Sequence, residues 1–322
     1  MKKILVTGGA GYIGSHTSKL LLQAGYEPIC LDNLSTGHKE FVKWGPLEIG
    51  DIKDTDFVIK VLKKYVPLAI IHFAGSAYVG ESVQNPFKYY NNNVGGTLSL
   101  LSAMQSIGIK NIVFSSTCAI YGTPKVNIID ENQPQKPINP YGESKLIVEK
   151  ILSDLAKQKK ISQISLRYFN AAGADRDGEI GEWHDPEPHL IPLAIRSAFS
   201  GEVLKVFGGD FQTPDGTPVR DYVHVEDLAA AHIKALEAIL ENQMSEFINL
   251  GTGKGHSVKD IISILKKLGL SVNCEITSRR EGDPPYLIAN PSKAKQQLNW
   301  EASYQNISEI LETAISWHKK HD

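Results

Sequence analysis

A tyrosine and a lysine four residues apart can do proton-transfer chemistry when both lie on one face of a helix. The run Tyr141-Gly142-Glu143-Ser144-Lys145 offers that spacing, and Asn139-Pro140 before it is a helix-start signal. A tyrosine normally loses its proton near pH ~10, so to act as a base at neutral pH its phenolate must be stabilised by ~3 pKa units, or ~4 kcal/mol. The Lys145 ammonium has the right sign for that. Thr117, at the end of Phe114-Ser115-Ser116-Thr117, is the third candidate, a hydroxyl able to relay or share the proton. Tyr-x-x-x-Lys pairs arise by chance in many helices, so the residues around this one decide its meaning.

The strongest of these neighbours is Thr7-Gly8-Gly9-Ala10-Gly11-Tyr12-Ile13-Gly14. Gly8, Gly11 and Gly14 lie between a predicted strand and a predicted helix that opens at Tyr12 and Ile13. Glycine permits the tight turn and lets a pyrophosphate approach the backbone, where the helix N-terminus offers free N–H groups. The G-x-x-G-x-x-G spacing points to the short-chain dehydrogenase/reductase superfamily. Asp32 follows Gly14 by 18 positions and ends the second predicted strand. An acid there accepts from both ribose hydroxyls and repels a 2′-phosphate, and Asn33 and Leu34 bring no arginine, which selects NAD over NADP. Asp51, after the third strand, can meet the adenine amino group or serve as a turn residue. Phe73-Ala74-Gly75, after the fourth strand, lets the cofactor pass close to the backbone.

Other constellations are weaker. The 10 histidines include no H-E-x-x-H and no evident metal spacing, so no metal is expected. His72 ends an apolar strand and reads as a structural cap. Ser115, Ser116 and Ser144 lack a G-x-S-x-G elbow, and there is no P-loop.

These residues need a scaffold, and the chain patterns one. Lys3–Thr7, Pro28–Leu31, Leu47–Ile49, Leu68–His72, Asn111–Ser115 and Ile161–Arg167 read as strands. Between them, Tyr12–Ala24, Thr55–Tyr65, Pro86–Ile107 and Tyr141–Leu155 read as helices. That alternation implies right-handed βαβ crossovers and a Rossmann-type, doubly wound parallel sheet of the α/β class. After Phe169 the texture changes. The stretch from Asn170 to Pro188 is rich in Gly, Asp, Glu and Pro and reads as a functional loop. Helical patterns at Ile191–Phe199, Val225–Glu241, Val258–Leu268 and Ser308–Lys319 follow, with strand-like runs at Leu204–Phe207 and Phe247–Leu250. The expected division is residues 1–170 as an NAD-binding domain and 171–322 as mainly a smaller α/β substrate domain, some segments returning to the first.

Composition agrees with such an enzyme. In 322 residues, 34 Lys and Arg nearly balance 36 Asp and Glu, leaving a net charge of −2, which argues against a nucleic-acid partner. Three cysteines without a paired framework suggest a reducing cytoplasm, and no apolar run of ~18 residues suggests a membrane span.

Assembled in order, the blocks resemble the extended short-chain dehydrogenase/reductases, and among them the UDP-glucose 4-epimerase family. The likeness runs over essentially the whole chain: VTGGAGYIGSH at the start, HFAG at His72–Gly75, VGES at Val79–Ser82, NNNVGGT at Asn91–Thr97, FSST-x-x-x-YG at Phe114–Gly122, NPYGESK at Asn139–Lys145 and RYFNAAGA at Arg167–Ala174. It continues with HLIP at His189–Pro192, DGTPVRDYVHVEDLA at Asp215–Ala229, NLGTG at Asn249–Gly253 and RREGD at Arg279–Asp283. The resemblance implies NAD-mediated oxidation of a UDP-sugar at C4, rotation of the keto sugar and re-reduction on its other face, interconverting UDP-galactose and UDP-glucose. It adds Ser35, Thr36, Gly37, Ile52, Asn92 and Phe169 to the cofactor contacts. It assigns Arg220, Tyr222, Arg280 and Asp283 to the diphosphate and nucleoside anchor. Thr117, Asn170, His189, Leu190, Lys205, Val206 and Phe207 would line the sugar-nucleotide pocket. It also implies a homodimer, formed through the helices around Pro86–Ile107 and Tyr141–Leu155.

Three positions depart from the family pattern. Ser76 and Ala77 follow Gly75 where several members carry a cofactor-contacting lysine. Thr117 stands where serine is common. Leu287 stands where some members have tyrosine, which leaves UDP-N-acetylhexosamines open as further substrates. Two other readings compete. Another nucleotide-sugar 4-epimerase or a 4,6-dehydratase shares the scaffold, but the dehydratase needs a carboxylate pair where Cys118-Ala119 follows Thr117. A redox-sensing binding protein would have no use for Thr117, Tyr141 and Lys145 together.

Overall fold

The computed structural model describes residues 1–280 and 282–321; Glu281, inside the RREGD block, lies outside the described residues. Seven strands form the main sheet: β1 (Lys2–Thr7), β2 (Tyr26–Asp32), β3 (Leu47–Ile49), β4 (Ala69–His72), β5 (Asn111–Thr117), β6 (Ser162–Tyr168) and β7 (Glu246–Leu250). Every pairing is parallel and the order across the sheet is 3-2-1-4-5-6-7. This is the expected Rossmann arrangement, and the strand order reverses between β1 and β4, where such sheets open a crevice at the strands' carboxyl ends.

The centres of β1, β2 and β4 are apolar because helices cover both faces of the sheet. On β1, Ile4 and Val6 pack into one cluster with Leu228, Ala231 and Leu236 of the helix Val225–Asn242. Leu5 points the other way, into a cluster with Val58, Leu62, Leu100 and Met104. The period-2 alternation thus feeds two cores rather than a core and a surface.

The halves of the chain interleave. The seventh main-sheet strand comes from residues 246–250, paired with β6. Residues Ile128–Ile129, from the first half, pair with Tyr286–Ala289 in a four-stranded sheet with Val219–Arg220 and His256–Ser257. Asn170–Ala172 pairs with Tyr222–His224, and Leu204–Phe207 with Cys274–Thr277. Packed helices Leu190–Ser200, Val258–Lys267 and Ile307–His321 give this region its own apolar cluster.

One predicted helix is not uniform. Pro86–Ile107 divides into an α-helical turn at Pro86–Tyr89, a π-helical stretch at Tyr90–Gly95 and an α-helix at Gly96–Ile107. The run Asn91-Asn92-Asn93 is a poor regular-helix former, and a π insertion redirects its side chains. Among the described residues, no helix is long and apolar enough to cross a membrane.

Among the buried histidines, His16, His72, His224 and His232 are shifted by burial. His72 bridges Thr7 Oγ1 at 2.6 Å and Thr97 Oγ1 at 2.9 Å, the structural role expected for it, and burial lowers it to about 3. Burial likewise lowers His16 and His232 to about 4 and His224 to about 3. Unfolded imidazoles take protons below about pH 6.5 that these folded ones refuse, so the unfolded state binds more protons and stability falls as pH drops. Each group contributes about 1.4 kcal/mol per pH unit in the window between its folded and unfolded values. Urea midpoints at pH 6.5 and pH 5 measure this, and equal unfolding free energies at the two would contradict it.

Candidate active site

The glycine turn has the geometry expected of a phosphate cradle. Gly8 has φ +72°, and a Cβ there would sit 2.6 Å from Ala74 N, so strand ends β1 and β4 meet backbone to backbone. A Cβ at Gly14 would lie 2.2 Å from Gly8 O. Helix Tyr12–Gln23 starts at Gly11 with no side-chain cap and no acidic residue in its first turn. Its leading N–H groups therefore carry the helix's partial positive charge with no anion of the chain's own beside them.

Asp32 is buried at the end of β2. Its carboxylate accepts from Ala10 N at 3.0 Å and Leu34 N at 2.8 Å, which locks it beside the glycine turn. Burial raises it from the ordinary carboxylate value, with those two N–H bonds opposing. Ser35 N donates to Asn33 Oδ1 at 3.0 Å, turning the loop through Thr36 and Gly37, and His38 N closes onto Ala10 O at 2.9 Å. Glycine is required at 37 because a Cβ would meet Ala10 Cβ at 2.9 Å. An uncapped, glycine-floored helix start beside a buried ribose-type acceptor fits NAD.

Not every cofactor position points the same way. Tyr12 sends its hydroxyl to Gly173 O at 2.6 Å, so at Tyr12 only the backbone faces the cradle. Asp51 accepts from Lys53 N at 2.9 Å and Asn33 Nδ2 at 3.4 Å and so acts at least as a turn residue. Ile52 is buried against Gly96. Phe73 packs its ring 4.6 Å from that of His232, and Phe169 is buried with Cys118, Tyr121 and Leu146.

The helix Pro140–Lys157 carries the candidate proton-transfer pair, Tyr141 and Lys145. Asn139 caps it, accepting from Gly142 N at 2.8 Å, with Pro140 in the first turn. The Thr117 hydroxyl lies near enough to the Tyr141 phenol to pull its pKa down. Lys145 is buried, and its Nζ donates to Ser115 O at 2.8 Å and lies 4.9 Å over the Phe114 ring. A Cβ on Gly75 would be 3.7 Å from that Nζ, so the lysine tip lies beside the strand end assigned to the cofactor. The three hydroxyl and amine groups singled out by spacing are thus brought together. Their ionisation differs from expectation. Burial pushes the Tyr141 phenol up to about 12 against the pull of Thr117, and burial lowers Lys145 to about 8 against the pull of Glu149. For each group the loss of water outweighs the neighbour that opposes it, Thr117 for Tyr141 and Glu149 for Lys145.

Sequence reasoning missed the residues that hold this pair. Glu149 continues the stripe of Tyr141 and Lys145, one turn further on. It receives Arg167 through Nε at 2.9 Å and NH2 at 2.7 Å, and Ser116 Oγ at 2.5 Å. Asn93, placed by the π segment, accepts from Ser76 N at 2.7 Å and donates to Ser144 Oγ at 2.9 Å. It ties the cofactor loop to the Tyr–Lys helix, while Asn92 Nδ2 reaches Ser76 Oγ at 3.0 Å. Where the family lysine is absent, Ser76 is thereby fixed by two asparagines. The i+4 spacing from Lys145 to Glu149 was the available signal; Asn93 had none.

The positions expected to anchor the nucleotide make contacts of their own. Arg220 NH2 meets Asp283 Oδ1 at 2.5 Å, and Arg280 lies 3.9 Å over the Phe207 ring. Arg220 also acts on the catalytic side: burial raises the Cys118 thiol to about 12 while this arginine pulls it down. Asn170 donates through Nδ2 to Asp221 O at 3.1 Å, and Tyr222 pairs with it across two strands. Asp221, also unforeseen, accepts from Thr252 N, Thr252 Oγ1, Gly253 N and Ala289 N at 2.7–3.2 Å and pins three segments behind the arginine. Lys205 is exposed, whereas Val206 is buried in the apolar cluster of that region, so its side chain cannot line a pocket. Leu190 opens the helix Leu190–Ser200, and His189 precedes it as its N-cap residue, 2.6 Å from Glu182 Oε1. Leu287 packs against the cluster around Phe169.

A tyrosine–lysine helix facing a glycine turn across a parallel sheet is the working arrangement of short-chain dehydrogenase/reductase enzymes, and fold and site place the chain in that class. The sequence pattern of the NAD dependent epimerase/dehydratase family matches residues 4–251. A UDP-glucose 4-epimerase of Rhizobium meliloti (strain 1021) is 52% identical over 319 residues, covering 98% of this chain and 97% of that protein. The structure of UDP-glucose 4-epimerase from Brucella ovis in complex with NAD superposes with a TM-score of 0.95 at 50% identity, covering 98% of each chain. That from Bifidobacterium longum, in complex with NAD+ and UDP, gives 0.94 at 38% identity over 99% of each. The chain belongs to the NAD dependent epimerase/dehydratase family, and its cofactor is NAD.

Proposed function

We propose that this chain interconverts UDP-galactose and UDP-glucose by inverting sugar C4. The Thr117–Tyr141–Lys145 constellation beside the cofactor cradle carries the reading. Bound NAD supplies a reversible hydride acceptor for C4 and a positive ring charge that favours the phenolate. Tyr141 takes the proton of the 4-hydroxyl and later returns it, with Thr117 holding the oxygen in line. Lys145, tied to the Ser115 carbonyl, keeps an ammonium near that oxygen. Because Tyr141 otherwise sits near 12, its deprotonation depends on these charges arriving together.

Inversion also requires a firm nucleotide anchor and a loosely held hexose. Arg220 and Arg280 suit the diphosphate, Arg220 exchanging part of its contact with Asp283 for the ligand. Tyr222, Asn170, His189, Leu190, Lys205 and Phe207 complete the pocket, with Val206 packed behind them in the apolar cluster. In this reading residues 1–170 hold NAD and most of 171–322 hold the UDP-sugar, while Leu287 leaves room for UDP-N-acetylhexosamines. A dehydratase is less favoured because the carboxylate of the Tyr–Lys helix, Glu149, is committed to Arg167 and Ser116. The enzyme works in the cytoplasm as a homodimer. An apolar stripe of Val83, Phe87 and Leu98, 62%, 77% and 49% exposed along the helices before and within Pro86–Ile107, supports that interface.

Incubating the purified protein with UDP-galactose and resolving the products is expected to give UDP-glucose with no net change in bound nicotinamide. Absence of UDP-glucose rejects the reading, and loss of water from the sugar supports the dehydratase. UDP-N-acetylglucosamine in the same assay tests the wider substrate range.

A further inference from the structure

The loop between Asn170 and the helix Leu190–Ser200 folds four side chains onto one point. Glu182, His184, Glu187 and His189 each offer one ligand atom, and these atoms all lie within 4.8 Å of one another. His184 Nδ1 is 3.4 Å from both Glu182 Oε1 and Glu187 Oε2; His189 Nδ1 is 2.6 Å from Glu182 Oε1 and 3.2 Å from Glu187 Oε1. Spacing alone did not single out this set, because Glu-x-His-x-x-Glu-x-His on an irregular loop converges only through the backbone path.

The second observation concerns direction. Glu182 is 4% exposed and the Glu187 side chain 1%, yet Glu182 Oε1, Glu187 Oε2 and His184 Nδ1 are buried atoms with no hydrogen-bond partner. The atoms are near one another, but their N–H and lone-pair directions do not join them in pairs. Ligands held ~2.0–2.2 Å from one tetrahedral ion lie about 3.3 Å apart; the separations of 3.2–3.4 Å match that spacing, and the 2.6 Å between His189 Nδ1 and Glu182 Oε1 would open on binding. Buried carboxylates left without donors are otherwise costly.

A contrasting cluster sits close by in sequence. Asp175, Asp177 and Glu179 also converge, but Lys19 Nζ stands 2.7 Å from each, so the chain supplies that cation itself. No lysine or arginine takes that place among Glu182, His184, Glu187 and His189 in the described structure. The rings of Tyr12 and Tyr78 wall the site, 6.4 Å and 5.8 Å from the His184 ring.

We propose that Glu182, His184, Glu187 and His189 form a binding site for one divalent transition-metal cation. Two imidazoles and two carboxylates suit zinc, cobalt or manganese ahead of calcium or magnesium. The ion is structural: it fastens the loop to the start of the helix Leu190–Ser200, beside Tyr12 of the cofactor helix.

The probe is cobalt chloride added near neutral pH to full-length protein dialysed against chelator. One equivalent is expected to give the visible absorption of four- or five-coordinate cobalt and a raised Tm, and zinc is expected to displace it. His184→Ala and Glu187→Gln are each expected to weaken binding on the order of 100-fold or more. Circular dichroism and NAD content establish that the variants are folded. The proposal is overturned if the folded wild type binds no cobalt at millimolar concentration, as a cluster closed by imidazolium–carboxylate pairs would behave. It is equally overturned if both folded variants bind as tightly as the wild type, which would place the metal at other histidines.

Discussion

Tyr141→Phe is expected to reduce turnover by roughly 1,000-fold or more, with the fold and the bound NAD retained. The substitution removes one oxygen and keeps the ring, which packs edge-on to Tyr89 at 6.4 Å between centroids. What disappears is the hydroxyl beside Thr117, the group that in the proposed mechanism exchanges a proton with the sugar oxygen. The nucleotide anchor around Arg220 and Asp221 is untouched, so KM is expected to move far less than kcat. Turnover of UDP-galactose and nicotinamide released on denaturation provide the two readouts. Activity near that of the wild type would remove Tyr141 from its role, whereas loss of NAD would make the residue a structural one.

The second large effect falls on stability. Glu149→Ala is expected to cost about 3–5 kcal/mol, because it leaves the Arg167 guanidinium buried without its counter-charge. Both side chains are 2% exposed. Among the described residues, Arg167 then keeps Tyr121 Oη at 3.0 Å and the rings of Tyr121 and Phe247, at 5.5 Å and 4.9 Å, none of which neutralises it. Ser116 loses its acceptor too. The loss lies directly under the strand end that carries Thr117, so the surviving folded fraction should also turn over more slowly. Urea unfolding at neutral pH measures the first effect, and a decrease below about 1 kcal/mol would show that the pair is not what holds this corner together.

Much of the scaffold was legible in the sequence. The predicted strands at Lys3–Thr7 and Leu47–Ile49 and the helix at Thr55–Tyr65 lie where the apolar period put them, since each element's pattern records which of its faces is covered. The short strands at Ile128–Ile129 and Val219–Arg220 carried no such signal. Two residues have no period, and their pairing depends on segments far away in the chain. The Pro86–Ile107 segment shows the limit in the other direction. Its helical character was readable, but its π-helical centre, which aims Asn92 and Asn93, reflects contacts to Ser76 and Ser144.

The sequence by itself determined the class of chemistry. Tyr141 with Lys145, the glycines at 8, 11 and 14, and Asp32 are local patterns, and their meaning depends on spacing along a single strand, turn or helix. The tertiary structure decided how those groups are held and charged. Burial, a property of the packed chain, sets Tyr141 near 12 and Lys145 near 8 and puts Val206 inside a core. It also gathers Glu182, His184, Glu187 and His189 from an irregular loop, where no periodicity links spacing to direction. Short-range geometry was encoded in the order of the residues; desolvation and convergence required the fold.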